Sequence, residues 1–107
     1  MRAGGDRMKQ VTMEEFHEKI QSGETMNILD VRPKERYDEG HVPGAKHFPL
    51  SKIDDNLDQI NKSETYYMIC QQGKGSYKAT QILTEKGYDA INVEKGTKDY
   101  PGELVSE

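Results

Sequence analysis

The sequence predicts an α/β domain built on a mainly parallel β-sheet. Short runs rich in β-branched and aromatic residues alternate with segments of helical periodicity along the chain. The run at residues 26–31 is also nearly continuous in apolar residues, which is typical of a parallel strand covered on both faces. A chain of 107 residues fits one such domain.

The first half of the chain is predicted to hold three strands and two helices. The first strand begins at Lys9, and Thr12 and Glu15 then form a capping box for a helix that ends at Gly23. The later elements of this half are a strand at residues 26–31, a short polar helix at 34–39, a turn at 41–44 and a strand at 45–48.

The second half is predicted to repeat the alternation of helix and strand. Pro49 and Ser51 open a helix with Ile53, Leu57 and Ile60 at helical spacing. The later elements are a strand at residues 65–69, a helix at 76–86, a strand at 90–93 and a short helix around Lys98.

The domain itself is predicted to span residues 9–102. Residues 1–8 are expected to be a disordered leader or a cloning remnant, and residues 103–107 to be frayed.

Composition excludes several classes of function. The net charge is −4, and no basic patch with interleaved aromatic residues is present, so we expect no nucleic-acid partner. No apolar run approaches the ~18 residues of a membrane span, so we expect no membrane partner. A single cysteine excludes an internal disulfide and a thiolate zinc cluster, and it suits a reducing compartment such as the cytoplasm.

Cys70 is the only cysteine, and its position predicts a nucleophile. It directly follows the predicted strand at residues 65–69 and precedes a loop that contains Gly73 and Gly75. A thiol between the carboxyl end of a strand and the amino end of a helix meets backbone N–H groups and the positive end of the helix dipole. Both favour the thiolate. The alternative is a buried structural cysteine, but such a cysteine needs no glycine-rich loop.

Three segments resemble the rhodanese-like family. The sequences DVR at residues 30–32 and GHVPGA at 40–45 are similar to the family's D-V-R and G-H-(I/V)-P-G-A motifs. The cysteine loop at 70–75 is the second segment. Residues 93–100, which are similar to a terminal G-G-x-x-x-W motif, are the third. The resemblance extends over residues 11–101.

The resemblance implies a sulfurtransferase with a five-stranded parallel sheet flanked by helices on both faces. It implies that Cys70 takes sulfane sulfur from a donor such as thiosulfate or a persulfide, and passes it to a thiol or cyanide acceptor. A sulfur-relay protein such as a cysteine desulfurase is a further candidate partner, and no cofactor is implied. The loop N–H groups are expected to cradle the negative charge. Lys74 is expected either to add positive charge at the entrance or to be a solvated residue at the tip of the loop. The expected substrate-binding residues are Gln71, Gln72, Gly73, Lys74, Gly75 and Ser76.

The chain departs from the family pattern at four positions. Members active on thiosulfate commonly carry an arginine directly after the cysteine and an arginine or threonine five positions after it, where this chain has Gln71 and Gly75. Thiosulfate is a dianion, so the loss of a loop guanidinium should weaken its binding. Lys95 replaces a usual glycine and Tyr100 a usual tryptophan, and both are tolerable at a packing site.

The other polar residues near the predicted site are interpreted as structural. Asp30 and Arg32 are expected to support the site, because a strand-end aspartate accepts N–H bonds and an arginine pairs nearby. His41 is expected to brace the turn after Gly40, since sulfur transfer from a thiolate needs no base. No cysteine or carboxylate cluster lies at ligand spacing from a histidine, so no metal site is predicted.

Three other functions are open to a cysteine loop of this kind. Phosphatases of related fold carry a loop one residue longer that ends in an arginine six positions after the cysteine, where this chain has Ser76. Without that guanidinium, phosphoryl transfer loses most of its charge stabilisation. Non-catalytic modules of the family usually lack the cysteine. A carrier that takes persulfide from a protein partner, with little activity on thiosulfate, is the remaining alternative.

Overall fold

Five parallel strands form one sheet in the computed structural model, which describes residues 8–106. The strands are β1 (Lys9–Val11), β2 (Asn27–Asp30), β3 (Ala45–His47), β4 (Thr65–Ile69) and β5 (Asp89–Val93). Their order across the sheet is β1-β5-β4-β2-β3, and each neighbouring pair is parallel. The predicted α/β fold is therefore confirmed. The leader predicted over residues 1–8 lies outside the described residues except for Met8.

Helices cover both faces of this sheet. They are α1 (Met13–Gln21), α2 (Lys34–Glu39) and α3 (Lys74–Glu85), with short 3-10 segments at Leu50–Lys52, Asp54–Gln59 and Thr97–Asp99. One apolar cluster joins α1 to the sheet through Phe16, Ile28 and Val93. A second cluster joins α3 to the opposite face and includes Met68 and Leu83. Because both faces of the sheet are covered, successive residues of the strands are buried, which explains their nearly continuous apolar character.

Local signals placed α1 correctly. Thr12 accepts a hydrogen bond from the N–H of Glu15, and the Glu15 side chain accepts one from the N–H of Thr12. This reciprocal pair is the predicted capping box.

Two helix predictions were wrong in detail. The segment with Ile53, Leu57 and Ile60 forms two 3-10 stretches rather than an α-helix. Its aspartates and asparagine favour turns over helix interiors, and burial of Ile53 holds the shorter turns in place. Helix α3 begins at Lys74 rather than at Ser76, because the left-handed backbone of Gly73 turns the chain earlier. Ser76 therefore lies in the first turn of α3.

The C-terminal segment predicted to be frayed makes one contact with the loop after α2. Val105 forms an isolated antiparallel bridge with His41, with N–H to O distances of 2.8 Å in both directions. The ring of His41 stacks on Tyr37 at a centroid distance of 3.8 Å, and its Nδ1 lies 2.8 Å from the Tyr37 carbonyl oxygen. Two backbone hydrogen bonds thus fix a segment whose sequence carries no strand signal.

The carboxylate of Asp89 links three strands at the edge of the sheet where β1, β5 and β4 begin. Its carboxylate accepts hydrogen bonds from Lys9 Nζ at 2.8 Å and from Thr65 Oγ1 at 2.5 Å. The hydrogen bond from Lys9, followed by that from Thr65, lowers the pKa of Asp89. Since the folded-state pKa is below the unfolded one, the stability that this carboxylate contributes is present above the unfolded pKa. It is lost as pH falls through the folded value.

We therefore expect Lys9→Met to raise the pH midpoint of Asp89 in a carboxyl-detected NMR titration. Lys19→Met is the control, because Lys19 lies on α1 and pairs with Glu24 instead. An unchanged midpoint in Lys9→Met would contradict Lys9 as the main cause of the shift.

No helix among residues 8–106 combines the length and apolar character needed to cross a membrane.

Candidate active site

Cys70 lies directly beyond the carboxyl end of β4, the middle strand of the sheet. The neighbouring strand β2 ends at Asp30, so Val31 and Arg32 follow at the same edge of the sheet. In open parallel sheets this edge is where ligands bind. The topology therefore brings together two predicted segments that are about forty residues apart in the sequence.

The Cys70 sulfur has two polar partners from the loop and helix that follow it. The backbone N–H of Gly73 donates to Sγ at 3.0 Å. The Oγ of Ser76 lies 3.3 Å from Sγ, where it accepts from the thiol. The amino end of the 12-residue helix α3 is at the same place. An N–H group and a helix dipole directed at one sulfur favour negative charge there.

The predicted loop residues divide between the front and the back of this sulfur. Gln71, Gln72, Lys74 and Gly75 line a cavity in front of it together with Cys70. Ser76 is fully buried behind it. Gly75 lies close to the sulfur, since a Cβ built there would be 3.9 Å from Sγ.

The loop that follows β5 holds the cysteine loop in place through two backbone hydrogen bonds. The N–H of Thr97 donates to the carbonyl oxygen of Cys70 at 2.6 Å, and the N–H of Lys98 donates to that of Gln71 at 3.0 Å. Gly96 makes this approach possible, because its φ is +69° and a Cβ at this position would overlap the Cys70 carbonyl oxygen. Lys95 has a φ of +73°, which explains why a glycine is usual at its position.

Tyr100 fills the packing role expected for it. Its ring lies edge-on to His17 at a centroid distance of 5.2 Å and packs against the α1-side cluster. Burial raises the pKa of the Tyr100 hydroxyl.

Arg32 is held by hydrogen bonds from all three nitrogens of its guanidinium. Its Nε and Nη2 donate to the Asp30 carboxylate at 2.8–3.1 Å, and its Nη2 also donates to the Gly40 carbonyl oxygen at 2.7 Å. Its Nη1 donates to Gln71 Oε1 at 3.0 Å. Asp30 is completely buried and also accepts from the Arg32 backbone N–H. The pair therefore links the end of β2 to the cysteine loop.

The cavity in front of Cys70 has a volume of about 520 Å³. Its cationic side chains are Arg32 and Lys74, and much of its wall is apolar. The apolar wall residues are Val31, Pro33, Pro49 and Leu50. Sequence analysis missed this wall, because no motif connects the 3-10 segment at Leu50–Lys52 with a cysteine twenty residues later. The hydrogen bond from the Leu50 N–H to the Val31 carbonyl oxygen, at 3.0 Å, and the packing of Leu50 against the cluster that contains Cys70 bring the segment to the site.

Fold and site together define an α/β domain with a cysteine loop between the central strand and a helix amino end. The family model described as "Rhodanese-like domain" matches residues 12–102, and the chain belongs to this family.

Solved structures of high similarity support the assignment. SSP1007 from Staphylococcus saprophyticus is 39% identical with a TM-score of 0.85, covering 92% of this chain and 99% of that one. A rhodanese-like domain protein from Staphylococcus aureus is 37% identical with a TM-score of 0.86, covering 94% of this chain and 99% of that one.

Two curated relatives come from Bacillus subtilis. "Putative sulfurtransferase YtwF" is 31% identical over 90% of this chain and 93% of its own length. "Putative sulfur carrier protein YrkF" is 35% identical over 87% of this chain. The match spans only 51% of the length of YrkF.

Proposed function

We propose that this protein is a sulfurtransferase that carries sulfane sulfur as a persulfide on Cys70. The observation that carries the proposal is the Gly73 N–H directed at Cys70 Sγ at 3.0 Å, at the amino end of α3. A thiolate is the form of cysteine that attacks sulfur, and this arrangement stabilises it. The name of the relative YtwF agrees with the same activity.

The proposed reaction has two displacement steps. The Cys70 thiolate attacks the outer sulfur of thiosulfate, the S–S bond of the donor breaks, and sulfite leaves with the electron pair of that bond. Cys70 then carries the outer sulfur as a persulfide anion. A thiol or cyanide acceptor attacks that sulfur. The bond between the outer sulfur and Cys70 Sγ breaks, and the Cys70 thiolate is restored. In both steps the Gly73 N–H and the helix dipole offset negative charge near Sγ.

A phosphatase function fits the site poorly. The position six residues after the cysteine is Ser76, which is fully buried and directed at Sγ and Asn92 rather than at the cavity. No guanidinium is therefore placed to hold the equatorial oxygens of a phosphate from this position.

We also propose that the protein works in a reducing compartment such as the cytoplasm, because its function depends on a free thiol. A sulfur-relay protein would be a natural partner, since the relative YrkF is named as a sulfur carrier. In that case the donor is a protein persulfide and the chemistry at Cys70 is unchanged.

Intact-mass measurement after incubation with thiosulfate tests the proposal directly. We expect the mass to rise by one sulfur atom and to return to its starting value after cyanide, with thiocyanate released. Nitrophenyl phosphate should not be hydrolysed above background. Phosphate hydrolysis that is lost in Cys70→Ser, without any sulfur transfer, would refute the assignment. If neither assay responds, transfer from a cysteine desulfurase distinguishes a protein-persulfide carrier from a binding module.

Replacement of Gln71 tests the preference for the donor. Gln71 lines the cavity beside Lys74 and accepts from Arg32 Nη1. An arginine at this position cannot accept that hydrogen bond, and repulsion from Arg32 directs its guanidinium toward the cavity. We expect Gln71→Arg to lower the KM for thiosulfate about fivefold, which corresponds to one charge-assisted contact of about 1 kcal/mol.

Steady-state kinetics on Gln71→Arg and Gln71→Met separate the two effects of this substitution. Gln71→Met removes the hydrogen bond to Arg32 without adding charge, so we expect it to leave the KM unchanged or raised. A KM that falls equally in both variants would show that charge at position 71 does not reach the donor.

A further inference from the structure

A chain of buried polar side chains runs from Cys70 to the surface behind the active site. Ser76 Oγ donates to Asn92 Oδ1 at 2.5 Å, and Asn92 Nδ2 donates to Gln10 Oε1 at 2.9 Å. Ser76 and Asn92 are at most 2% exposed, whereas Gln10 on β1 is exposed. Gln10 and Asn92 are direct cross-strand partners in the register of β1 and β5.

The direction of these hydrogen bonds suits a neutral thiol. A serine hydroxyl has one proton, and Ser76 gives it to Asn92 Oδ1 at 2.5 Å rather than to the more distant Gly73 carbonyl oxygen at 3.4 Å. Ser76 can then only accept from Cys70, so the thiol donates to it at 3.3 Å. A thiolate or a persulfide anion has no proton to donate. It would face the oxygen lone pairs of Ser76, which is unfavourable.

The chain can reverse without leaving a buried group unpaired. If Ser76 turns its proton toward the sulfur, Asn92 must donate to Ser76 Oγ with its Nδ2. A half-turn of the Asn92 amide achieves this, because its oxygen and nitrogen ends are nearly equal in size. Its Oδ1 then faces Gln10, which can turn its own amide and donate. Gln10 is free to turn because water satisfies either orientation at the surface.

We propose that Asn92 and Gln10 are positioning residues that set the direction of the Ser76 hydroxyl according to the charge on Cys70. The thiol proton leaves through the cavity to solvent, and each other proton in the chain stays on its own residue. Only the Ser76 hydroxyl and the two amides rotate. The anionic form of Cys70 thereby gains a second donor, Ser76, in addition to the Gly73 N–H.

Two cationic side chains line the same cavity as Cys70, and their charge is the same whether Cys70 is neutral or anionic. Arg32 and Lys74 line the cavity with Cys70, and the charge of Arg32 is paired with Asp30. Neither belongs to the chain of side chains behind the sulfur. The inference rests on the proposed function only in taking Cys70 as the nucleophile, and its test needs no sulfur donor.

Substitution of Gln10, which lies at the surface, can fix the direction of the hydrogen bonds between Asn92 and Ser76. In Gln10→Glu the side chain can only accept, so Asn92 is held with Oδ1 toward Ser76 and the reversal is blocked. In Gln10→Lys the side chain can only donate, so Asn92 is held with Nδ2 toward Ser76. We expect iodoacetamide to alkylate Cys70 about tenfold more slowly at neutral pH in Gln10→Glu than in Gln10→Lys, the effect of one hydrogen bond to a charged group. At alkaline pH, where all thiols are ionised, the two rates should converge.

Two controls separate the effect of hydrogen-bond direction from the electrostatic effect of the introduced charge. The rates are measured at about 1 M salt, where the screening length is about 3 Å. Lys9→Glu changes the charge by two units one residue away on the opposite face of β1, and it should keep the wild-type rate. The proposal is overturned if Gln10→Glu is not slower than Gln10→Lys at neutral pH, if the difference persists at alkaline pH, or if Lys9→Glu is as slow as Gln10→Glu.

Discussion

Cys70→Ser is expected to reduce sulfur transfer by about three orders of magnitude or more, because it removes the only thiol of the chain. The serine hydroxyl can still accept from the Gly73 N–H and donate to Ser76, as the thiol does. The fold should therefore be retained, with a change in the free energy of unfolding of about 1 kcal/mol or less. Thiocyanate release measures transfer, and thermal unfolding monitored by circular dichroism measures the fold.

Two outcomes would contradict this expectation. Transfer that persists in Cys70→Ser would place the sulfur chemistry elsewhere or outside the protein. Loss of transfer together with loss of the cooperative unfolding transition would indicate a structural cysteine, which was the alternative interpretation of its burial. Cys70 is 5% exposed, so burial alone does not distinguish the two roles.

Gly96→Ala is expected to destabilise the protein by about 3 kcal/mol or more. The backbone of Gly96 has φ +69° and ψ −170°, a region that is nearly restricted to glycine. A Cβ at this position would also overlap the carbonyl oxygens of Cys70 and Gln71, which are backbone atoms and cannot rotate away. Steric overlap and backbone strain therefore act together. Chemical denaturation measures the loss.

Gly23→Ala is the matched control. Gly23 also has a left-handed backbone, with φ +83°, but a Cβ there meets nothing within 4 Å. We expect it to cost about 1 kcal/mol from strain alone. Gly96→Ala should also slow the alkylation of Cys70, since it disturbs the hydrogen bond from Thr97 to the Cys70 carbonyl oxygen. Equal destabilisation by the two substitutions would contradict the close approach of the two loops.

The strands and the cap of α1 were predictable because their signals are local. The apolar runs that became β2 and β4 need cover on both faces, and the capping box of Thr12 and Glu15 involves residues three positions apart. Local signals also misled in two places. Helical spacing suggested an α-helix through Ile53, where aspartates and burial produce 3-10 turns, and α3 begins at Lys74, two residues before its predicted start.

Contacts between distant parts of the chain were not predictable in the same way. The bridge between His41 and Val105 and the cavity wall at Pro49 and Leu50 have no sequence signature. Asn92 was placed in a strand and attracted no functional interpretation, because an asparagine in a short apolar run carries no motif. Its partners Ser76 and Gln10 are sixteen and eighty-two residues away.

The sequence by itself determined the alternation of strands and helices, the family resemblance and the position of the one thiol at a strand end. These follow from periodicity, propensity and motifs, which act over a few neighbouring residues. Only the tertiary structure decided that Gly73 directs its N–H at the sulfur, that Gly96 brings a second loop against the first, and that Ser76 faces Asn92. Those contacts depend on how strands align and helices pack, because the free energy of side-chain burial is shared among residues far apart in the chain.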